Sequence, residues 1–493
     1  MLSGVCAHNS VMLYWDLPEN YSSENTFIIK FDNKTLTAKK CHINIENLAE
    51  STVYTFEVYM DNEKIGVFTC KTQQKKHRID ITMPPYNAVG DGKTLNTEKI
   101  QQAIDDCGAG ECVYVPAGTY LTGSLRLHSD MELYIEKDGV LQGTTDYRDY
   151  EPKIKSRFEG REMMCYAALI NIGYLEREAG YNCENVRICG EGTICGSGMA
   201  LATNVIEREK VLLKEYMETH KEELAECECA DTVPGRARPR LINMSNAQNV
   251  EIFGITIMNG ASWNVHMIYS DNVVTHSCTF RSHGVFNGDG WDPDSSTNCT
   301  LFNCEFYTWD DSVAIKSGKN PEGNIINKPT KHIRVFDCVS YEGHGIAIGS
   351  EMSGGVEDVK IWNCDLKNSV FGVEIKATQK RGGYVKNVSV RHSALCRVLM
   401  HSVGYNDDGE AAPDVPVFSD CKFSDLHITG VSKKREGGEC ECDAIELAGF
   451  DIPGHYIKNV KFQNIIINSN NSRKHNISLQ YCEGVSFENI SCR

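Results

Sequence analysis

The chain has 493 residues, 41% of them hydrophobic and 24% charged, with 67 acidic against 50 basic side chains and a net charge of -17. Such a composition buries a large core and excludes a mainly disordered state. The negative charge excludes nucleic acid and anionic membrane as long-range partners, and no run of apolar residues is long enough for a transmembrane helix.

Residues 1 to about 75 read as a small β-sandwich. Val11–Asp16, Thr26–Phe31, His42–Ile45, Val53–Tyr59 and Val67–Thr72 are short alternating or apolar runs separated by turn residues. Trp15 early in the run, with Leu48 six residues before Tyr54, resembles a fibronectin type III domain. Residues 76–82 read as a linker, and 83–493 as one large domain. The N-terminus MLSGVCAHNSVML lacks the basic and long apolar regions of a signal peptide. The 22 cysteines are therefore expected as reduced thiols in a cytoplasmic protein, or in a secreted or periplasmic one if a signal was removed.

Within the large domain, residues 96–106 carry Ile100, Ala103 and Ile104 behind a cap-like Asn96 or Thr97, which predicts a short helix closing one end. Residues 203–230 read as a helical insertion, with Ile206, Leu213, Met217 and Leu224 near helical spacing. Such an insertion would wall a groove into a pocket.

From about residue 180 onward short units recur, each a polar residue followed by alternation. They begin at Asn249, Asn272, Asn298, His332, Asp358, Asn387 and Asn459. One position is Cys278, Cys304, Cys338 and Cys364 in turn, at intervals of 26, 34 and 26 residues. β-Branched repeats of this period without a helix in each unit predict a parallel β-helix rather than a propeller. Equivalent side chains then stack along the axis, and the four cysteines pack as an internal column of small hydrophobes.

The densest polar segment is Asn287-Gly-Asp-Gly-Trp-Asp-Pro-Asp, with Asp289, Asp292 and Asp294. Asp310-Asp311, Gly343-His344-Gly345 and Val373-Glu374-Ile375-Lys376 follow, with Asp289, Asp310, His344 and Lys376 offset by 21, 34 and 32 residues. At about one coil apart, they converge on one face. Paired carboxylates raise each other's proton affinity, and a histidine shares the proton. Cleavage of a glycosidic bond needs such an acid and a base for water. Taken singly, Asp and Gly clusters are turn chemistry, and it is the combination that points to a site.

These blocks resemble the signatures of glycoside hydrolase family 28, the polygalacturonases. Gly90-Asp-Gly-Lys-Thr, Pro116-Ala-Gly-Thr-Tyr-Leu-Thr-Gly, Gly190-Glu-Gly-Thr-Ile-Cys-Gly and Asn259 with Trp263 and His266 agree with it. The resemblance implies an all-β, right-handed parallel β-helix and an inverting hydrolase of α-linked, galacturonate-containing pectic oligosaccharides, without metal or cofactor. It implies Asp310 as general acid, Asp289 and Asp311 as the holders of water, His344 as support for the acid and Lys376 as a substrate ligand. Asn287, Asp292, Trp263 and His266 are further candidate substrate contacts.

Three departures stand out. Trp309 and Ser312 flank the Asp pair where the family has Gly and Cys, and Glu374 occupies the position of the family's Arg. That Arg would meet a uronate, so Lys316, Lys319, Lys380 or Arg381 is expected to supply the charge, or the sugar differs, as in rhamnogalacturonan or another uronate glycoside. The β-module and the insertion resemble exo-acting bacterial members. A β-helix lyase or epimerase and a non-catalytic glycan-binding β-helix are the competing readings. Cys227-Glu-Cys229 and Cys440-Glu-Cys442 would form a zinc site only if the two pairs meet; otherwise they are loop thiols. Oligomeric state is not legible.

Overall fold

The computed structural model describes residues 1–178, 180–468 and 476–493. Two compact units emerge: Met1–Ile79 with Gly108–Cys112, and Asp80–Cys107 with Val113–Arg493.

The first unit carries two antiparallel sheets of three and four strands. Alternation places Val11, Leu13 and Trp15 of one sheet and Phe27, Ile29, Phe56 and Val58 of the other in the core. Trp15 meets Phe27 edge-on at 5.1 Å. The Tyr54 hydroxyl accepts the Ala49 N–H at 2.9 Å, which ties its strand to the turn before it. Two strands escaped sequence reading. Leu2–Cys6 is only partly buried, and Lys34–Ala38 is almost wholly exposed, so neither shows a half-buried alternation. Asp32-Asn33, at φ 44° and 61°, turns the chain into the latter strand as a tight hairpin does. Residues 76–82, read as a linker, contain a strand, His77–Asp80.

The second unit is the β-helix. Its polar unit-starters are the reason the chain can turn at every coil. Asn249, Asn272, Asn298, His332, Asp358, Asn387 and Asn459 all sit at φ 53–57° or 52°, the left-handed region that Asn and Asp tolerate best. Their amides ladder from coil to coil, as Asn272 Nδ2 donating to Asn249 Oδ1 at 2.8 Å shows. Inside, Cys278, Cys304, Cys338 and Cys364 are buried in one column, and Cys278 N–H points at Cys304 Sγ at 3.5 Å. Burial pushes the Cys304 and Cys364 thiols up. Beside them Phe302, Phe336 and Trp362 stack at 4.9 and 4.3 Å. None of the 22 cysteines is paired in a disulfide.

The end helix spans Thr97–Asp105 and buries Ile100, Ala103 and Ile104. Asn96 makes no cap bond; its amide instead ties down the loop through Val89 and Thr94. The insertion begins earlier than its charge pattern suggests, at Gly198, and runs to Leu212, burying Leu201, Ala202, Val205 and Ile206. Shorter helices Lys214–Thr219, Lys221–Leu224 and Thr232–Gly235 follow. Met217 and Leu224, expected on its apolar face, are only half-buried.

Candidate active site

The site lies on the shorter parallel sheet, of 11 strands among the described residues. Its relevant strands are β1 (Val265–Ile268), β2 (Trp291–Asp294), β3 (Val313–Ile315), β4 (Gly345–Ile348), β5 (Gly372–Ala377) and β6 (Val398–Ser402). Trp291 pairs with Val313, Val313 with Ile346 and Gly345 with Gly372. Continuing that register, Asp289, Asp311, His344 and Phe371 form one column, just ahead of β2 to β5. Lys376 lies five residues beyond its column mate, opposite His401 on β6, and reaches the column through its long side chain. The residues at about one-coil offsets in the sequence thus line one cleft, but the backbone partner of His344 is Phe371.

Two glycines set the histidine. Gly343 and Gly345 take φ 101° and 98°, and a Cβ on either would lie 2.2 Å from Thr308 Oγ1 or 2.3 Å from the Gly372 carbonyl. Only Gly permits that approach, which projects His344 onto the Asp pair. His344 Nδ1 lies 3.0 Å from Asp310 Oδ1 and 3.2 Å from Asp311 Oδ1. Burial opposes a charged ring, but Asp310 and Asp311 outweigh it and lift His344 to about 10. Arg435 Nη2 is 2.8 Å from His344 Nε2, a contact that requires a lone pair there. With Arg435 in place the ring is neutral, its one proton toward the carboxylates; the cation that Asp310 and Asp311 favour forms once Arg435 leaves Nε2. Although burial favours its neutral form, Asp310 is held far below the ordinary carboxylate range by His344, Arg435 and Lys376.

The other carboxylates have the opposite character. Burial pushes Asp289 and Asp292 up, reinforced by the Asp292 charge at the first and by Asp311 and Glu351 at the second, with Lys316 pulling the other way. Asp292 has no hydrogen-bond partner on either oxygen, whereas Asp289 receives Lys316 Nζ at 3.2 Å. Of the two, Asp289 is the one that receives a cationic donor and lines the cleft. Lys316 also approaches Asp292 at 3.7 Å and Glu351 at 3.4 Å, and lies 3.9 Å over the Trp263 ring.

At the position of the expected Arg, Glu374 accepts from His401 Nε2 at 2.7 Å and pairs with Lys376 Nζ at 2.8 Å. Burial works against it, but Lys376 and His401 hold its carboxyl down to about 2. Lys376 also lies 3.5 Å from Asp311.

Several sequence expectations need correction. His266 and Asp292 are wholly buried and do not reach the cleft. His266 packs edge-on to Trp263 and faces Asp294 at 3.3 Å, and burial lowers it to about 4. Arg381 is also wholly buried, bonded to Ser350 O, Asn320 Oδ1 and Asn406 O. Lys319 is spent on Asp408, Lys380 on Glu226 and Lys316 on its three carboxylates, so none of the four proposed cations is uncommitted. Asn287 lines the cleft and accepts from Arg238 Nη2 at 2.6 Å. The two Cys-x-Cys units do not assemble: among the described residues, the one group of three or more ligating side chains within 4.8 Å is Asp310, Asp311 and His344. Its negative charge is already met by Lys376 and Arg435.

The cleft, about 220 Å³, is also lined by residues that sequence reading missed: His401, Tyr405, Glu228, Glu159 and Arg435. His401 follows Lys376 by one coil, and Lys433-Lys434-Arg435 is a basic run in an acidic chain; both were visible signals. Glu228 comes from the insertion, whose Glu226 O and Glu228 N–H bond Asp407 N–H and Asn406 Oδ1.

The model of "Glycosyl hydrolases family 28" matches residues 113–406. The chain belongs to glycoside hydrolase family 28. It is a glycoside hydrolase with the family's parallel β-helix. A second model, "Rhamnogalacturonase A/epimerase, pectate lyase-like", matches residues 84–136. The chain is 35% identical over 370 residues to a "Probable polygalacturonase" of Vitis vinifera, covering 70% of this chain and 68% of that one. It is 28% identical over 498 residues to an "Exo-poly-alpha-D-galacturonosidase" of Dickeya chrysanthemi, covering 90% and 82%. Among solved structures, the family 28 exopolygalacturonase of Yersinia enterocolitica superposes with a TM-score of 0.83 at 22% identity over 99% of this chain and 96% of that one. The exopolygalacturonase of Thermotoga maritima gives 0.67 at 27% identity, over 85% and 92%. No helix among the described residues is long and apolar enough to cross a membrane.

Proposed function

We propose that this chain hydrolyses α-linked, galacturonate-containing pectic oligosaccharides with inversion, acting from a chain end. The observation that carries the reading is the meeting of Asp289, Asp310, Asp311, His344 and Lys376 in one cleft. In this reading Asp310 and His344 share one proton. The imidazolium, formed once Arg435 leaves Nε2, supplies it at Nδ1, and Asp310 passes it to the glycosidic oxygen as the leaving group departs, which returns the ring to neutral. Asp289 and Asp311 are the acceptors that take the proton of the attacking water. Lys376 screens Asp311 and donates to the sugar. The buried Asp292–Lys316 pair sets the ionisation of Asp289.

The relatives named for polygalacturonate cleavage support the substrate class. The insertion supports exo action, because Glu228 and the bonds to Asn406 and Asp407 add a wall to the cleft. Glu374 favours a second reading, a rhamnogalacturonan or other uronate glycoside, because a carboxylate there repels a uronate at that subsite. The fibronectin-like module remains part of the proposal as a spacing or docking element. Mass analysis of products from a panel of pectic oligosaccharides tests all of this. Monosaccharide released from one end supports the proposal; random mid-chain cleavage defeats exo action, and an unsaturated product absorbing in the ultraviolet defeats hydrolysis.

A further inference from the structure

A second cleft, about 370 Å³, borders the catalytic one. Trp309, Tyr341, His283, Lys433, Lys434 and Arg435 form much of its lining. Arg435 lines both clefts. It is carried by an antiparallel hairpin of Val431–Lys433 and Glu439–Glu441, whose tip is closed by Gly437 N–H to Lys434 O and Lys434 N–H to Gly438 O at 3.0 Å each. Lys433 N–H anchors the hairpin to Ser369 O at 3.2 Å.

The charge distribution between the clefts is uneven. The catalytic cleft has seven carboxylic acids in its lining against two lysines and one arginine. Both lysines are held by carboxylates. Arg435 is less committed: its side chain is 41% exposed and stands 3.6 Å from Asp310. In the outer cleft Lys433 pairs with Glu439 and Glu342 with His283, while Lys434 has no acidic partner among the described residues. The outer cleft thus offers the cations that Glu374 denies to the floor of the inner one. It also offers an aromatic surface. Trp309 immediately precedes Asp310, is partly exposed, and meets His283 edge-on at 4.7 Å; Tyr341 stacks on Tyr307 at 4.8 Å.

We propose that the outer cleft is a sugar-binding subsite for a hexuronate, with Trp309 as the platform for the ring and Arg435, assisted by Lys434, as the ligand of its carboxylate. The proposal rests on the reading of this chain as a pectic hydrolase and places the anionic sugar beside Asp310, on the hairpin side. A guanidinium fits a carboxylate in a planar fork, and an indole supplies a rigid apolar face with a polar edge. When the carboxylate draws Arg435 off His344 Nε2, the imidazole is free to take a second proton from solvent at Nε2. Substrate binding in the outer cleft thereby charges the proton store of the inner one.

The test uses fluorescence. The other four of the five tryptophans, Trp15, Trp263, Trp291 and Trp362, are at most 2% exposed; Trp263 lines the catalytic cleft, so the quenching that Trp309→Phe removes is the part that reports on the outer cleft. Galacturonate, which has no bond to cleave, is titrated into the full-length protein, with galactose as the neutral control, to about 10 mM, some tenfold above the ~1 mM expected of a single-sugar site. The expected result is saturable quenching by galacturonate alone, absent in Trp309→Phe and weakened at least tenfold in Arg435→Gln. Arg435→Gln must retain the parent's thermal midpoint, as a change at an exposed hairpin tip should. Arg435→Lys, which keeps the charge, recovers part of the affinity. Equal quenching by galactose, no quenching, or affinity within twofold of the parent in Arg435→Gln overturns the proposal. Turnover of the oligosaccharide panel by the parent protein separates the two readings. Quenching that depends on Arg435 without any pectic hydrolysis sinks the functional reading and leaves the subsite, and hydrolysis without quenching does the reverse.

Discussion

Lys316→Met tests the electrostatic core of the site. Lys316 faces Asp289, Asp292 and Glu351 at 3.2, 3.7 and 3.4 Å, almost fully buried. At an effective dielectric of about 20, each contact is worth about 5 kcal/mol of Coulomb attraction. Most of that offsets the cost of removing the charges from water, so deleting the cation while leaving the anions is expected to cost about 3–5 kcal/mol. The variant protein has an escape, which is to protonate the carboxylates. Burial already pushes Asp289 and Asp292 up in the presence of Lys316, and its loss raises them further. A carboxyl raised in the folded state binds protons that the unfolded chain releases, so the penalty is small near pH 4 and grows as pH rises toward the folded value. Unfolding of parent and variant by heat and denaturant, followed from pH 5 to pH 8, should show a deficit of several kcal/mol at pH 7 that shrinks on acidification. A variant within about 1 kcal/mol of the parent at pH 7, or a deficit independent of pH, would refute the assignment of Lys316 as the counter-ion of this cluster.

Asp310→Asn should lower kcat by about 10²–10⁴-fold, the range of a general acid, while equilibrium binding of a pectic oligosaccharide is retained; near-parental turnover would remove Asp310 from the role of acid. Asp292→Asn, outside the cleft, should cost less than about tenfold in kcat, whereas Asp289→Asn should cost at least a hundredfold; the reverse order would remove Asp289 from the role of base. Glu374→Gln releases both Lys376 and His401 and should reduce kcat/KM by roughly tenfold, about 1.4 kcal/mol. Alkylation of the native protein followed by peptide mass analysis should label Cys229, Cys440 and Cys492, which are exposed, and spare Cys278, Cys304, Cys338 and Cys364; rapid labelling of the latter four would contradict an internal thiol column.

The repeat was legible because the β-helix writes it into the chain. A coil must turn through a left-handed residue, so Asn, Asp or His opens each unit, and inward side chains must match their neighbours, so cysteines recur. The acids, the histidine and Lys376 were legible for the same reason, as residues about one coil apart on one face. By itself the sequence determined the coil architecture, the membership of those five residues in one site and the absence of the expected Arg at position 374. Only the tertiary structure decided which charges remained available. Lys316, Lys319, Lys380 and Arg381 look equivalent as cations along the chain, yet each is consumed by partners that lie remote in sequence or outside the repeat. Arg435 reaches His344 across 91 residues on a hairpin that interrupts the periodicity. Stacking is a one-dimensional rule and can be read in one dimension; electrostatic pairing in a low-dielectric interior depends on distances of a few ångströms, which only the folded chain sets.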